Sequence, residues 1–188
     1  NPPSPLVAEF KMAGDLQDAT AYKNDGINHG SVPATNRFGL ANNAIAFNGA
    51  EGVEIANSAA YNTPTTTISF WVNVKELPGT GEYYIMSHGG WQERWKISLP
   101  AHGKPVFTTN YATGISDMDS GTPLTVNTWT HVVMVHDSTK NIIYFDGVKV
   151  NEKAVVGALN ATQYDLALGY NNIDNSNYFK GSLDDVQL

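Results

Sequence analysis

The chemistry open to this chain is set by five histidines, eighteen carboxylates and no cysteine. His29, His88, His102, His131 and His136 are scattered, with no His-x-His or His-Glu-x-x-His spacing that would set two imidazoles on one metal ion. Without cysteine there is no disulfide, no thiolate metal site and no thiol nucleophile. A serine elbow is missing as well, because the nearest string, Gly114-Ile115-Ser116-Asp117-Met118, lacks the second glycine. The oxygen-rich strings Gly14-Asp15-Leu16-Gln17-Asp18, Asn24-Asp25-Gly26 and Asp184-Asp185 are better suited to a hard cation, which takes carboxylate, amide and carbonyl oxygens. The competing reading is that these side chains close turns or flank a strand bulge. Asp117-Met118-Asp119-Ser120-Gly121 is not an EF-hand loop, since its glycine is misplaced and the bidentate Glu is absent.

For ligand binding the informative run is Ser87-His88-Gly89-Gly90-Trp91-Gln92-Glu93-Arg94-Trp95. Trp95 belongs to an alternating strand, whereas Trp91 sits in a glycine-bounded loop beside planar polar side chains. An aromatic face flanked by directional polar groups suits the amphipathic surface of a sugar ring. Trp91 is the expected stacking face and Arg94 the expected hydrogen-bonding fork, with Asn110, Tyr111, Tyr170 and Asn171 as neighbours if their loops converge. The alternative is that Trp91 caps a sheet edge and the asparagines only shape turns. Asn160-Ala161-Thr162 is a glycosylation sequon, meaningful only in a eukaryotic secretory setting.

The net charge of −7 and the lack of any basic cluster argue against a nucleic-acid partner. No apolar run approaches the ~20 residues that cross a bilayer, so no membrane insertion is expected. At 188 residues the chain suffices for one well-buried core.

The elements that must position these residues read as β almost throughout. Ile68, Phe70, Val72 and Val74 alternate with Thr67, Ser69, Trp71 and Asn73, a period of two. Trp129–His136 is apolar on both faces, as a covered central strand would be. Asn141–Phe145 runs into Asp146-Gly147 and returns as Val148–Val150, the clearest hairpin. No long window shows helical periodicity, and Ser58–Tyr61 is at most a single turn before Pro64. The sequence predicts an all-β sandwich whose core contains Phe10, Phe47, Ile68, Phe70, Val72, Trp95, Ile97, Trp129, Val133, Phe145 and Leu183. Asn1-Pro2-Pro3-Ser4-Pro5 reads as the end of a stiff linker, leaving residues 6–188 as one domain of what reads as a longer protein.

Ordered along the chain are Leu6–Phe10, Asp15–Asp18, Asn24-Asp25-Gly26, Ala44–Gly49, Val53–Ile55, Thr67–Val72, Trp95–Leu99, Trp129–Val133, Tyr144–Gly147 and Phe179–Val186. This series resembles the laminin-G-like domains of the concanavalin A-like lectin/glucanase superfamily, the bacterial ones especially. The resemblance implies a two-sheet antiparallel jelly-roll β-sandwich whose first and last strands are neighbours. It implies that the Asp15–Gly26 loop lies near the last strand, where similar domains hold a structural calcium, here on Asp15, Asp18, Asn24, Asp184 and Asp185. On that expectation chelation lowers the melting temperature. His131 falls at the family's Trp-x-His position and is expected to be a hydrogen-bonded core histidine.

Glucanases of similar fold carry Glu-x-Asp-x-Glu or Glu-x-Asp-x-x-Glu on one strand, and this chain has neither. A retaining glycosidase needs two carboxyl groups about 5–5.5 Å apart. Glu51 and Glu54 fall on opposite faces of a strand, and Asp117 and Asp119 read as part of a Gly/Ser-rich loop. The expectation is a non-catalytic carbohydrate-binding or adhesion module of a secreted, surface or periplasmic protein, monomeric, with a glycan or cell-surface protein as partner. A protein-interaction domain is the alternative, and a glycoside hydrolase comes third.

Overall fold

Alternation decides the architecture. In a strand successive side chains face opposite ways, so a period-two apolar pattern gives each strand one face to bury. The computed structural model describes residues 6–188, and the expected linker over residues 1–5 lies outside them. In chain order the elements are β1 (Glu9–Phe10), β2 (Gly26–His29), β3 (Val32–Ala34), β4 (Ala44–Asn48), β5 (Gly52–Ile55), β6 (Thr66–Val74), β7 (Glu82–His88), α1 (Gly90–Glu93), β8 (Trp95–Pro100), β9 (Val106–Tyr111), β10 (Gly114–Asp119), β11 (Trp129–His136), β12 (Lys140–Phe145), β13 (Val148–Ala154), β14 (Leu166–Leu168) and β15 (Lys180–Gln187).

These strands form two antiparallel sheets. The first, of eight strands, runs β13-β12-β11-β6-β15-β4-β3, with β1 also pairing β15. The second, of seven, runs β10-β9-β8-β7-β14-β5-β2. First and last strands are neighbours, through Glu9↔Gln187 and Phe10↔Val186. The hairpin turn falls at Asp146 and Gly147, whose φ values of 48° and 80° are the paired positive values of a type I′ turn.

The core lies between the sheets. Phe10, Phe47, Ile68, Phe70, Val72, Trp95, Ile97, Phe145 and Leu183 are buried there, as their alternation predicts. Each such side chain contributes about 1.5–3 kcal/mol over leaving it exposed. Trp129 and Val133 are the corrections. In β11 the inward residues are Thr130, Val132, Met134 and His136, which turns Trp129, His131, Val133 and Val135 to the outer face. A strand apolar on both sides leaves its parity open, and polar pairing in the interior settles it. Buried His136 stands 2.8 Å from Asn141 Oδ1 and 3.0 Å from the Gly157 carbonyl, while Asn141 Nδ2 donates to Thr109 Oγ1 at 2.8 Å. The buried histidine of β11 is therefore His136; His131 is half-buried on the outer face, 2.8 Å from Ser69 Oγ.

Candidate functional site

Strand β7 ends at His88, and the chain leaves the sheet through Gly89 and Gly90, with φ of 72° and 59°. That left-handed region favours glycine. The contacts agree, because a Cβ on Gly89 would come within 2.6 Å of Thr162 Oγ1 and one on Gly90 within 3.0 Å of Ile173 Cδ1. Glu93 N–H donates to the Gly89 carbonyl at 3.1 Å, closing the single turn of α1 before β8 re-enters the sheet at Trp95. Trp91 stands on this turn with 47% of its surface exposed, while Trp95, one turn later, is 1% exposed and in the core.

The turn is held from behind. Arg94 is fully buried, and its guanidinium donates to the Asn160, Tyr61 and Thr63 carbonyls, the last two at 2.6 and 2.8 Å. Burial lowers its pKa to about 10, so it remains charged at neutral pH. The fork expected to meet a ligand is thus turned inward, where three carbonyls engage its two terminal nitrogens and Nε is left buried without a partner among the described residues. Asn110 is also structural: its Nδ2 donates to the Trp91 and Gln92 carbonyls at 3.1 and 2.8 Å, and its Oδ1 accepts from Asn160 Nδ2 at 2.8 Å. Thr162 Oγ1 donates to Glu93 at 3.0 Å. Asn160 and Thr162, visible in the sequence only as parts of a sequon, are scaffold residues of the platform.

His88 completes this scaffold. Burial first, and the Arg94 charge second, push its pKa down to about 3, so the ring is neutral at pH 7. Its Nε2–H then donates to Asn57 Oδ1 at 3.0 Å, and Tyr61 and Trp95 pack against the ring edge-on.

The other expected neighbours go elsewhere. Tyr111 points away from Asn110, as alternation demands, and stacks on His136 at 6.2 Å. Tyr170 is 6% exposed and lies parallel to Tyr178 at 5.4 Å. Its ring sits over Gly52, where a Cβ would come within 2.3 Å. Asn171 is 3% exposed and closes its loop by backbone bonds to Ser176. That loop does reach α1, but through Ile173, which the sequence did not single out. Of the six candidates, Trp91 alone combines exposure with a ligand-sized apolar face; exposed Gln92 is its polar neighbour.

The oxygen-rich strings form two separate structures. Buried Asp18 accepts from the Glu9 and Thr20 N–H groups through Oδ1, and from Thr20 Oγ1 and the Asn24 N–H through Oδ2. Asp15 accepts from the Gln17 N–H at 3.2 Å. Asp184 and Asp185 instead grip Arg37, one carboxylate per terminal nitrogen, at a bulge where Asp185 takes φ 45°. The Arg37 guanidinium is stacked between Phe38 at 4.4 Å and Trp71 at 4.6 Å. Of the expected ligands, Asp184 and Asp185 share the single charge of Arg37, while turn-closing bonds engage Asp18. Among the described residues no group of three or more His, Asp or Glu converges as metal ligands would.

Residues 47–188 match a laminin G family model of the concanavalin A-like lectin/glucanases superfamily. The chain belongs to that superfamily. Among curated protein sequences there is no significant match. Among solved structures, domain 4 of AbnA, an extracellular GH43 arabinanase from Geobacillus stearothermophilus held in complex with arabinotriose, aligns with TM-score 0.77 and 20% identity. The alignment covers 97% of this chain and 90% of that one. The binding domain of Paraclostridial mosquitocidal protein 1 aligns with TM-score 0.77 and 20% identity over 97% of this chain and 48% of that one. The binding domain of botulinum neurotoxin DC, in complex with SialylT, aligns with TM-score 0.75 and 17% identity over 98% and 47%. This chain therefore spans about half of each toxin binding domain. At these identities the likeness is one of fold.

Within the superfamily fold, the carboxylates singled out from sequence are each engaged locally. Glu51 accepts the Asn48 and Ala50 N–H groups, and Glu54 pairs with His29 at 3.1 Å. Asp117 and Asp119 lie on β10, not in a loop. Asp117 accepts from Thr108 Oγ1, and Asp119 closes the turn at Gly121.

Proposed function

We propose that this chain is a non-catalytic carbohydrate-binding module of a secreted or surface protein, with Trp91 as its stacking platform. The observation that carries this reading is the half-exposed indole of Trp91 on a turn immobilised by Arg94, Asn110 and Asn160. A rigid aromatic face loses little conformational freedom when a sugar ring settles on it. Gln92 beside it supplies an amide for ring hydroxyls, and the platform carries no paired carboxylates for hydrolysis. The structural neighbours held with arabinotriose and with SialylT are in keeping with this reading. A glycan array, followed by calorimetry on the best glycan, tests it with wild type and Trp91→Ala. Loss of an anchor aromatic is expected to weaken binding by about 2 kcal/mol, roughly thirtyfold, with the melting temperature unchanged. Full affinity in Trp91→Ala removes the platform from the proposal, and protein-only capture with a blank array favours the interaction-domain alternative.

A further inference from the structure

The outer face of the first sheet carries a feature that the Trp91 platform does not explain. One row of cross-strand neighbours runs Trp129↔Asn73 from β11 to β6, Asn73↔Ser182 from β6 to β15, and Ser182↔Ala46 from β15 to β4. The middle of the row is small, so the sheet surface dips between Trp129 and the β3–β4 edge. Thr35, Asn48, Lys75 and Asn127 line the hollow alongside that row, and its volume is ≈ 340 Å³. That is the lower end of the range for small-molecule sites, about 300–1,000 Å³.

Apart from the Lys75–Asn48 contact, the hollow's polar side chains are unengaged. The side chains of Thr35, Asn73, Asn127 and Ser182 and the indole N–H of Trp129 make no hydrogen bond within the described fold. Asn127 is nevertheless fixed in place, at φ 57° with its backbone N–H donating to the Val74 carbonyl at 2.7 Å. Lys75, at the rim, donates to the Asn48 amide oxygen at 3.4 Å and forms no salt bridge among the described residues, while neighbouring Glu76 is paired with Lys180. An indole wall, two amides, two hydroxyls and a spare cation around a ring-sized hollow match one pyranose ring bearing a carboxylate.

We propose that this trough is a second saccharide site, taking a single acidic pyranose with its carboxylate toward Lys75; the inference rests on the carbohydrate-binding reading but uses the opposite face of the sandwich. The probes are methyl glycosides of galacturonic, glucuronic and N-acetylneuraminic acid, with methyl galactoside and methyl glucoside as neutral controls. They are titrated into 15N-labelled protein, with the Trp129 and Trp91 indole signals assigned by Trp129→Phe and Trp91→Phe. At least one acidic glycoside is expected to move the Trp129 indole and the side-chain amides of Asn73 and Asn127 while leaving the Trp91 indole in place. Asn73→Ala/Asn127→Gly, which keeps a residue suited to the left-handed φ at position 127, should weaken that binding at least tenfold at unchanged melting temperature, and Lys75→Met should abolish the preference for the acid. If the glycosides move only Trp91, or if array-positive glycans leave Trp129 still, the trough is overturned and the module reading stands. If neutral controls shift Trp129 as strongly as the acids, the acidic assignment fails. A blank array together with silent indoles sinks both.

Discussion

Trp91 and Trp129 both offer indole surface, but their surroundings hold shape by opposite means. Trp91 stands on a turn outside the ladders, where strand hydrogen bonds are unavailable, so side chains must satisfy the backbone. Arg94 and Asn110 do so, and the Asn160 side chain holds Asn110 in place. Trp129 stands on a sheet face whose geometry the backbone ladder to β6 already fixes, leaving Asn73, Asn127 and Ser182 without such duties. A polar residue beside an exposed aromatic is therefore a ligand contact only where the backbone has no prior claim on it.

The largest break of this contrast is Arg94→Met. Three carbonyls lose their donor, and a loss of about 3–5 kcal/mol is expected in urea unfolding. Asn73→Ala in the trough should change stability by no more than about 0.5 kcal/mol.

Acid sharpens the same contrast. Burial holds the His88 pKa at about 3 in the folded state against an ordinary 6.5, so the unfolded chain binds the extra proton first. Its contribution to stability is complete above pH 6.5 and drains away as the pH falls toward 3, at up to about 1.4 kcal/mol per pH unit. Melting temperatures measured from pH 7 to 4 should fall on this account, and His88→Gln should flatten the slope. Asn110→Ala comes next, at about 1–2 kcal/mol, with the Trp91 turn loosened and glycan affinity reduced together in calorimetry. The smallest expected effect lies in a third region: because Asp184 and Asp185 are each engaged by a terminal nitrogen of Arg37, a chelator should leave the melting temperature where it was.

The sandwich was legible because Ile68, Phe70, Val72 and Val74 alternate cleanly, and because Asp146-Gly147 admits few conformations. Parity in β11 was not, since Val132 and Val133 are equally apolar and only the interior contacts of His136 with Asn141 choose between them. Trp91 could be placed from its glycines. Arg94 could not, because the carbonyls of Tyr61, Thr63 and Asn160 that surround it are more than thirty residues away in sequence. The same distance problem hid Arg37, which meets Asp184 across 147 residues. Local pattern encodes which face a residue takes; it does not encode which remote backbone will claim it.

The four tryptophans have a spectroscopic consequence. Trp95 is sealed in the core against His88, so its emission should lie to the blue and resist acrylamide. Trp71 lies under the Arg37 guanidinium and against His131, while Trp91 faces water and should emit furthest to the red. Excitation at the red edge would therefore select Trp91. A blue shift there on adding a saccharide would report cover over the α1 turn, while shielding from quencher without that shift would report cover over the opposite sheet. The protein carries an optical label for each face, with no dye attached.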